Sequence, residues 1–181
     1  MSGADRRSAL VVVASEAEAT VGEWRRRFQH ESVERGIPPH ITILFPFLPA
    51  TAIDERVVAR LERLYAPVQR FAYDLATVES FPDATWLAPV PADPFLDLIA
   101  RTSGTFPDLP PYGDPGHVPV PHCTIGTDAD PARVEAMLDE LRARLGPKLP
   151  IRCRADEVVL VGEQADGRWE RRASFPLDGR G

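Results

Sequence analysis

The sequence predicts an α+β protein built from two similar halves. Its 181 residues are enough for one domain or for two small lobes that share a cleft, and 44% hydrophobic residues are enough for a core. In each half, a strand that begins with the motif Pro-His-x-Thr-Ile is followed by a helix and then by a pair of strands. We therefore expect residues 1–181 to form a single domain of two lobes related by a pseudo-twofold axis.

The sequence of the first half predicts four strands and two helices. A buried strand covers residues 8–14, and the Ser-x-x-Glu spacing at residues 15–18 is typical of a capping box that opens a helix ending near Phe28. The first motif strand covers residues 40–45. A second cap at residues 51–54 precedes a helix that Pro67 closes, and the apolar side chains of this helix share one face: Ile53, Val57, Val58, Leu61, Leu64 and Tyr65. Two further strands include Phe71, Tyr73 and Leu75, which alternate, and residues 85–90.

The second half begins with a helix and a long loop and then repeats the order of motif strand, helix and two strands. Asp93-Pro94 begins a helix, and residues 105–121 are rich in Pro and Gly and predict a surface loop before the second motif strand. Asp130-Pro131 begins another helix, and two strands end the chain around the turn at residues 165–167. The inward side chains of the last helix are Val134, Met137, Leu138, Leu141 and Leu145.

The composition restricts the partners and the compartment. The formal net charge is −6 and the arginines are scattered, so we expect a nucleotide or an RNA terminus as partner and no long duplex. No apolar run approaches the roughly 18 residues of a membrane helix, and the apolar run at residues 9–14 is followed by polar residues. Two cysteines do not form a disulfide framework. We expect a cytoplasmic protein, as a monomer, with no membrane contact.

The two copies of the motif each place a histidine and a threonine on the same face of a strand. His40 and Thr42 share one face and Ile41 and Ile43 the other, because successive side chains in a strand alternate. The second copy alternates in the same way, with Cys123 and Ile125 buried and the polar pair on the opposite face. Those polar residues are His122 and Thr124.

A duplicated His-x-Thr strand suits the chemistry of phosphate esters. In-line displacement at phosphorus needs a base on the attacking oxygen and an acid on the departing oxygen, at opposite sides of one phosphate. Two imidazoles that exchange protons near neutral pH can provide both groups, and two hydroxyls can donate to phosphate oxygens. We expect no metal and no cofactor, because His122 and Cys123 point to opposite faces and no second pair of ligands has zinc spacing.

The motifs "HITI" and "HCTI" resemble the two signatures of the 2H phosphoesterase superfamily, in particular its 2′-5′ RNA ligase-like branch. The resemblance extends through "GIPPHITILFPF", "TWLAPV", "PPYGD" and "RWERRASFPL". It implies two pseudo-twofold-related lobes of mainly antiparallel sheet, helices packed outside and a central cleft. It also implies metal-independent chemistry on cyclic phosphates or 2′-5′ linkages. By resemblance His40 and His122 are the acid/base pair and Thr42 and Thr124 bind phosphate. Which histidine is the base stays open.

Other side chains have weaker claims to the site. Phe47 follows the first motif strand and Tyr112 lies in the Pro/Gly loop, and both are candidates for contact with substrate, with core packing as the alternative for Phe47. Leu44 is expected on the face of His40. We expect a core position for Trp86 and Trp169, and exposure to solvent for His30, for His117 and for most of the arginines at residues 25–27.

These observations predict a phosphodiesterase that opens a 2′,3′-cyclic phosphate or a related nucleotide or RNA-end ester. Three alternatives remain open from the sequence. The same site could run in reverse as a 2′-5′ RNA ligase, although water is far more concentrated than RNA ends. The protein could also bind nucleotides or RNA ends without turnover. The third alternative is an interaction protein that retains a vestigial site.

Overall fold

A computed structural model describes residues 6–179 of the chain, which form a curved sheet with helices packed against it. The strands are β1 (Ser8–Val13), β2 (His40–Leu44), β3 (Phe71–Phe81), β4 (Ala84–Val90), β5 (Cys123–Thr127), β6 (Ile151–Ala155), β7 (Glu157–Glu163) and β8 (Trp169–Pro176). The α-helices are α1 (Glu18–Phe28), α2 (His30–Glu34), α3 (Glu55–Tyr65), α4 (Asp93–Thr105) and α5 (Pro131–Arg144).

The eight strands form one sheet in the order β6-β3-β4-β5-β2-β1-β7-β8, and every neighbouring pair is antiparallel. The two motif strands, β2 and β5, lie side by side at its centre. Three further strands lie on either side of this central pair. The expected α+β architecture of mainly antiparallel sheet with helices packed outside is therefore confirmed.

Two helices begin where short polar side chains satisfy free backbone N–H groups. Asp54 accepts a hydrogen bond from the backbone N–H of Val57 at 3.0 Å, and Asp130 accepts one from Ala132 at 3.0 Å. The capping box predicted at residues 15–18 is wrong. No side chain caps α1, and residues 15–17 form a turn of 3₁₀ helix instead.

The main core lies between one face of the sheet and the helices. Ile41, Ile43, Cys123 and Ile125 are all buried there, as the alternation of the motif strands predicts. Burial of these side chains against the helices provides the main driving force for folding, at roughly 25 cal/mol per Å² of apolar surface removed from water. The opposite face of the sheet is left to form the cleft.

Leu44 does not lie on the face of His40, in contrast to the sequence prediction. Leu10 pairs with Leu44 but Val11 pairs with Thr42, so β2 contains one extra residue relative to β1. Such a bulge interrupts the alternation of faces. Ile43 and Leu44 are consequently both buried in the main core.

Two further features differ from the sequence prediction. Strands β6 and β7 are separate, although they are divided by Asp156 alone, and the short helix α2 was not predicted. Within residues 6–179, none of the helices combines the length and the apolar composition that crossing a bilayer requires.

Candidate active site

The register between the central strands gathers the motif side chains. Ile41 of β2 lies opposite Cys123 of β5, and both side chains are fully buried on the core face. In an antiparallel pair, the residues one step to either side lie opposite each other and point to the other face. These residues are His40 opposite Thr124, and Thr42 opposite His122. The four partly exposed side chains thus share one surface at the centre of the sheet.

Both histidines are held by the same backbone contact. Nδ1 of His40 lies 2.8 Å from the carbonyl oxygen of Pro38, and Nδ1 of His122 lies 2.6 Å from that of Val120. A carbonyl oxygen only accepts, so Nδ1 must carry a proton in each ring. Nε2 of each neutral imidazole is therefore the basic nitrogen and is available for proton transfer.

Burial favours the neutral form of both histidines. It lowers the pKa of His40 to about 4, although the Pro38 carbonyl acts in the opposite direction, and the positive charges of Arg25 and His122 lower it further. Burial also lowers the pKa of His122, with the Val120 carbonyl opposing and His117 adding to the effect. An anionic phosphate between the rings would raise both pKa values again.

A cleft of about 670 Å³ opens beside His40 and Thr42. Its floor is apolar and consists of side chains from β1 and β7: Ala9, Val11, Val13, Val159 and Val161. Phe45 and Trp169 form its aromatic wall, with ring centroids 6.3 Å apart. Trp169 is only half-buried, so the prediction of a core position for it is wrong.

The rim of the cleft is charged, and its arginines are paired with carboxylates. Arg7 makes two hydrogen bonds of 3.0 Å to Glu163 and lies 5.7 Å from the centre of the Trp169 ring. This arginine lowers the pKa of Glu163 through their hydrogen bond. The other two pairs on the rim are Arg35 with Glu31 and Arg171 with Glu157.

The surroundings of His122 differ from those of His40. The rings of Phe81 and Trp86 lie 5.1 Å and 5.8 Å from the imidazole of His122. Trp86 is buried, as expected, and it lies opposite Thr124 in the pairing of β4 with β5. The cleft therefore adjoins His40, whereas His122 packs against aromatic rings.

Tyr112 lies at the edge of the site, as part of the loop before β5. Its backbone N–H donates to the carbonyl oxygen of Phe45 at 2.6 Å, and its ring contacts those of Phe45 and His117 at 6.4 Å and 4.9 Å. Burial raises the pKa of Tyr112, and the side chain of Thr42 acts in the opposite direction. The loop thus places a hydroxyl close to Thr42.

The structure places Phe47 away from the cleft. Its ring is buried and packs edge-on against Phe106, with centroids 5.1 Å apart. Phe47 is therefore a core residue, the alternative that the sequence had favoured, and its candidacy for contact with substrate is a wrong prediction. Phe45, two residues earlier, has the cleft-facing position instead.

Other residues near the site were missed from sequence. His117 packs against Tyr112 and contributes to the lowered pKa of His122. His30, by contrast, is exposed and pairs with Glu34 at 3.2 Å. Arg25, expected in solvent, is 2% exposed and donates to the carbonyl oxygen of Ile37. The pattern of α1 could have revealed Arg25, because it lies four residues after Val21 and therefore on the same buried face of the helix.

No cluster of three or more His, Cys, Asp or Glu side chains that could hold a metal ion occurs between residues 6 and 179. The site is instead a pair of imidazoles and a pair of hydroxyls projecting from the centre of an antiparallel sheet. Two adjacent central strands that each carry His-x-Thr are the arrangement expected from the resemblance to the 2H phosphoesterases.

The chain belongs to the 2′-5′ RNA ligase superfamily, whose family model matches residues 13–167. Its fold is similar to that of E. coli LigT complexed with 3′-AMP, with a TM-score of 0.64, 15% identity and coverage of 95% of this chain and 98% of LigT. The protein TT0787 of Thermus thermophilus is equally similar, with a TM-score of 0.64, 18% identity and coverage of 97% and 100%.

A third solved structure, described as a phosphoesterase, has a TM-score of 0.58 at 15% identity and covers 96% of this chain and 98% of its own. No curated protein matches the chain by sequence. Membership of the superfamily and the shared fold support an activity of the phosphoesterase type.

Proposed function

We propose that this protein is a metal-independent phosphodiesterase that opens a 2′,3′-cyclic phosphate or a related nucleotide or RNA-end ester. The observation that carries this proposal is the equivalent state of the two histidines. Each donates its Nδ1 proton to a carbonyl oxygen two residues earlier and keeps Nε2 for the reaction. A matched pair of this kind supplies one base and one acid at the same phosphate.

The reaction uses each member of the pair once. Nε2 of the neutral imidazole takes a proton from water as the water oxygen bonds to phosphorus. The protonated imidazole gives its proton to the ribose oxygen whose bond to phosphorus breaks, and the product is a phosphate monoester. The hydroxyls of Thr42 and Thr124 donate to the phosphate oxygens that do not react. Either histidine can begin as the base.

The nucleoside part of the substrate fits the cleft beside His40. A volume of about 670 Å³ with an apolar floor and two aromatic rings is typical of a site for a planar organic ligand. Trp169 and Phe45 offer faces on which a base can stack. Tyr112, next to Thr42, would close the reacting end of the site and contact the phosphate or ribose. E. coli LigT, which has a similar fold, forms complexes with 3′-AMP and with ATP, and this supports a nucleotide as the ligand.

The test is hydrolysis of a panel of esters in EDTA: four 2′,3′-cyclic nucleotides, a 2′-5′ linked dinucleotide and ADP-ribose cyclic phosphate. We expect turnover of at least one ester, and His40→Ala and His122→Ala should each lower kcat/KM by about 100-fold or more. His30→Ala is the matched control, because His30 is exposed on α2 and does not line the cleft. Saturable nucleotide binding without turnover would contradict the proposal and favour a binding module.

A further inference from the structure

A second cavity, of about 450 Å³, adjoins the cleft where β8 begins. Glu170 and Arg171 line both cavities, so the two spaces share part of one wall. The remaining side chains of the second cavity are Arg6, Ala50, Thr51, Gln164 and Arg172. We call this space the arginine cavity, because three arginines face one carboxylate in its lining.

Two of these arginines differ from the arginines at the rim of the cleft. Arg7, Arg35 and Arg171 each pair with a glutamate. Among residues 6–179, by contrast, no ion pair involves Arg6 or Arg172. A guanidinium group stays charged at all physiological pH values. Within the described residues 6–179, the lining of the arginine cavity therefore carries more positive than negative charge, although Glu170 offsets part of it, in a chain whose formal net charge is −6.

A bulge in strand β8 determines the position of Arg172. Leu160 pairs with Ala173 but Val161 pairs with Arg171, so Arg172 is the extra residue of a bulge in β8. The bulge allows consecutive arginines to face the same cavity. The stem of Arg172 lies flat on Gly162, where an added Cβ would come within 2.6 Å of the Arg172 Cδ atom. Because Gly162 has no side chain, the stem of Arg172 has room to pass over it.

We propose that the arginine cavity binds a second phosphate group of the substrate, at the end of the nucleoside opposite the reacting ester. This inference rests on the proposed function, in which the nucleoside occupies the cleft and its cyclic phosphate lies at His40. The 5′ oxygen of that nucleoside then points toward the wall that the two cavities share. The preferred substrate carries a 5′-phosphate, as a monoester of a nucleotide or as the diester that continues an RNA chain.

Arginine suits this role because its guanidinium donates two parallel hydrogen bonds to phosphate oxygens. Gln164 and Thr51 add neutral donors to the same lining. Since the contacts involve charged groups near solvent, the gain from the second phosphate should fall as salt screens them. Glu170 lies in the same wall and offsets part of the positive charge of the lining.

The test compares three substrates that share one reacting group: adenosine 2′,3′-cyclic phosphate, its 5′-phosphorylated form, and the dinucleotide ApA that ends in a 2′,3′-cyclic phosphate. We expect kcat/KM for the second and third to exceed that of the first by about tenfold or more, as contacts between phosphate and charged donors provide. The two phosphorylated substrates distinguish a free nucleotide from an RNA end. Raising salt from about 50 to about 500 mM should reduce the advantage.

Three variants locate the effect. Arg172→Ala and Arg6→Ala should each move the ratio of kcat/KM for the phosphorylated over the unphosphorylated substrate toward one, and Gly162→Ala should do so by displacing Arg172. Arg101→Ala is the matched control, because it removes one exposed charge on α4, outside both cavities, and should leave the ratio unchanged.

A wild-type ratio near one, or a ratio that survives both arginine substitutions, would overturn the proposal. If no ester of the panel is hydrolysed, the proposed function fails, and calorimetry tests the cavity independently. Adenosine 3′,5′-bisphosphate should then bind about tenfold more tightly than adenosine 3′-monophosphate, and Arg172→Ala should remove the difference. Equal affinities for the two ligands would reject the second phosphate site.

Discussion

Arg25 donates a hydrogen bond of 2.8 Å from its Nη2 atom to the carbonyl oxygen of Ile37. Its Nε also donates to Gln29 at 2.8 Å, and its side chain is almost completely buried. Ile37 precedes Pro38, whose carbonyl oxygen holds the Nδ1 proton of His40. A buried cation on α1 thus fixes the segment that orients one of the two histidines.

Replacing Arg25 should therefore affect both stability and activity. Arg25→Ala leaves the Ile37 carbonyl without its donor, and we expect the free energy of unfolding to fall by about 1–3 kcal/mol, measured by urea denaturation. In the folded protein kcat/KM should also fall, because the segment that orients the imidazole of His40 is no longer held in place. Arg26→Ala is the control: Arg26 is exposed, and its loss should change stability by no more than about 0.5 kcal/mol. Equal behaviour of the two variants would contradict this account.

The tight packing behind β5 should make Gly126 intolerant of a side chain. A Cβ at this position would lie 2.2 Å from the Met137 sulfur and 2.7 Å from Cβ of Phe28. We expect Gly126→Ala to destabilise the protein by about 1–3 kcal/mol, as seen in thermal or urea unfolding. Gly104, on α4, has no atom within 4 Å of an added Cβ, so Gly104→Ala should be neutral or stabilise by up to about 1 kcal/mol.

The pH dependence of kcat/KM should be bell-shaped, with its maximum on the acid side of neutrality. The reaction needs one proton on the histidine pair, and both histidines have lowered pKa values, that of His40 to about 4. Activity should therefore rise as the first proton leaves near pH 4 and fall as the last proton leaves below pH 6.5. Initial rates between about pH 3.5 and 9 check this, and an optimum above about pH 7 in the free enzyme would contradict it.

The threonine hydroxyls should contribute through hydrogen bonds to the phosphate. Thr42→Val and Thr124→Val keep the shape of the side chain but remove the donor, and each should lower kcat/KM by about 10–100-fold. Thr42→Ser and Thr124→Ser restore the hydroxyl and should recover most of the activity. Valine variants with wild-type activity, or valine and serine variants that are equally impaired, would contradict a specific role for the hydroxyls.

Sequence patterns were sufficient for the strands that carry the motifs and for the positions of the four motif residues. Period-two alternation places Ile41 and Cys123 in the core, and the structure agrees because these strands lie at the centre of the sheet. Alternation failed at Leu44, where a bulge against β1 shifts the face. A bulge depends on the partner strand, so the residues of one strand do not reveal it.

Other parts of the molecule depend on contacts that are distant in sequence. Strands β6 and β7 are separated by Asp156 alone, without the Gly or Pro that usually marks a turn, and the sequence pattern suggested one strand. The cleft combines β1, β2, β7 and β8, so its floor could not be assembled before the strand order was known. Trp169 became a cleft residue for the same reason.

The central claim is that His40 and His122 act together on one phosphate, and a comparison of single and double variants tests it most directly. We would measure kcat/KM in EDTA for the wild type, His40→Ala, His122→Ala and the double variant. Because acid and base act in one reaction, the account predicts that each single variant loses about 100-fold or more and that the double variant is little worse than either. Single variants with wild-type activity would contradict it.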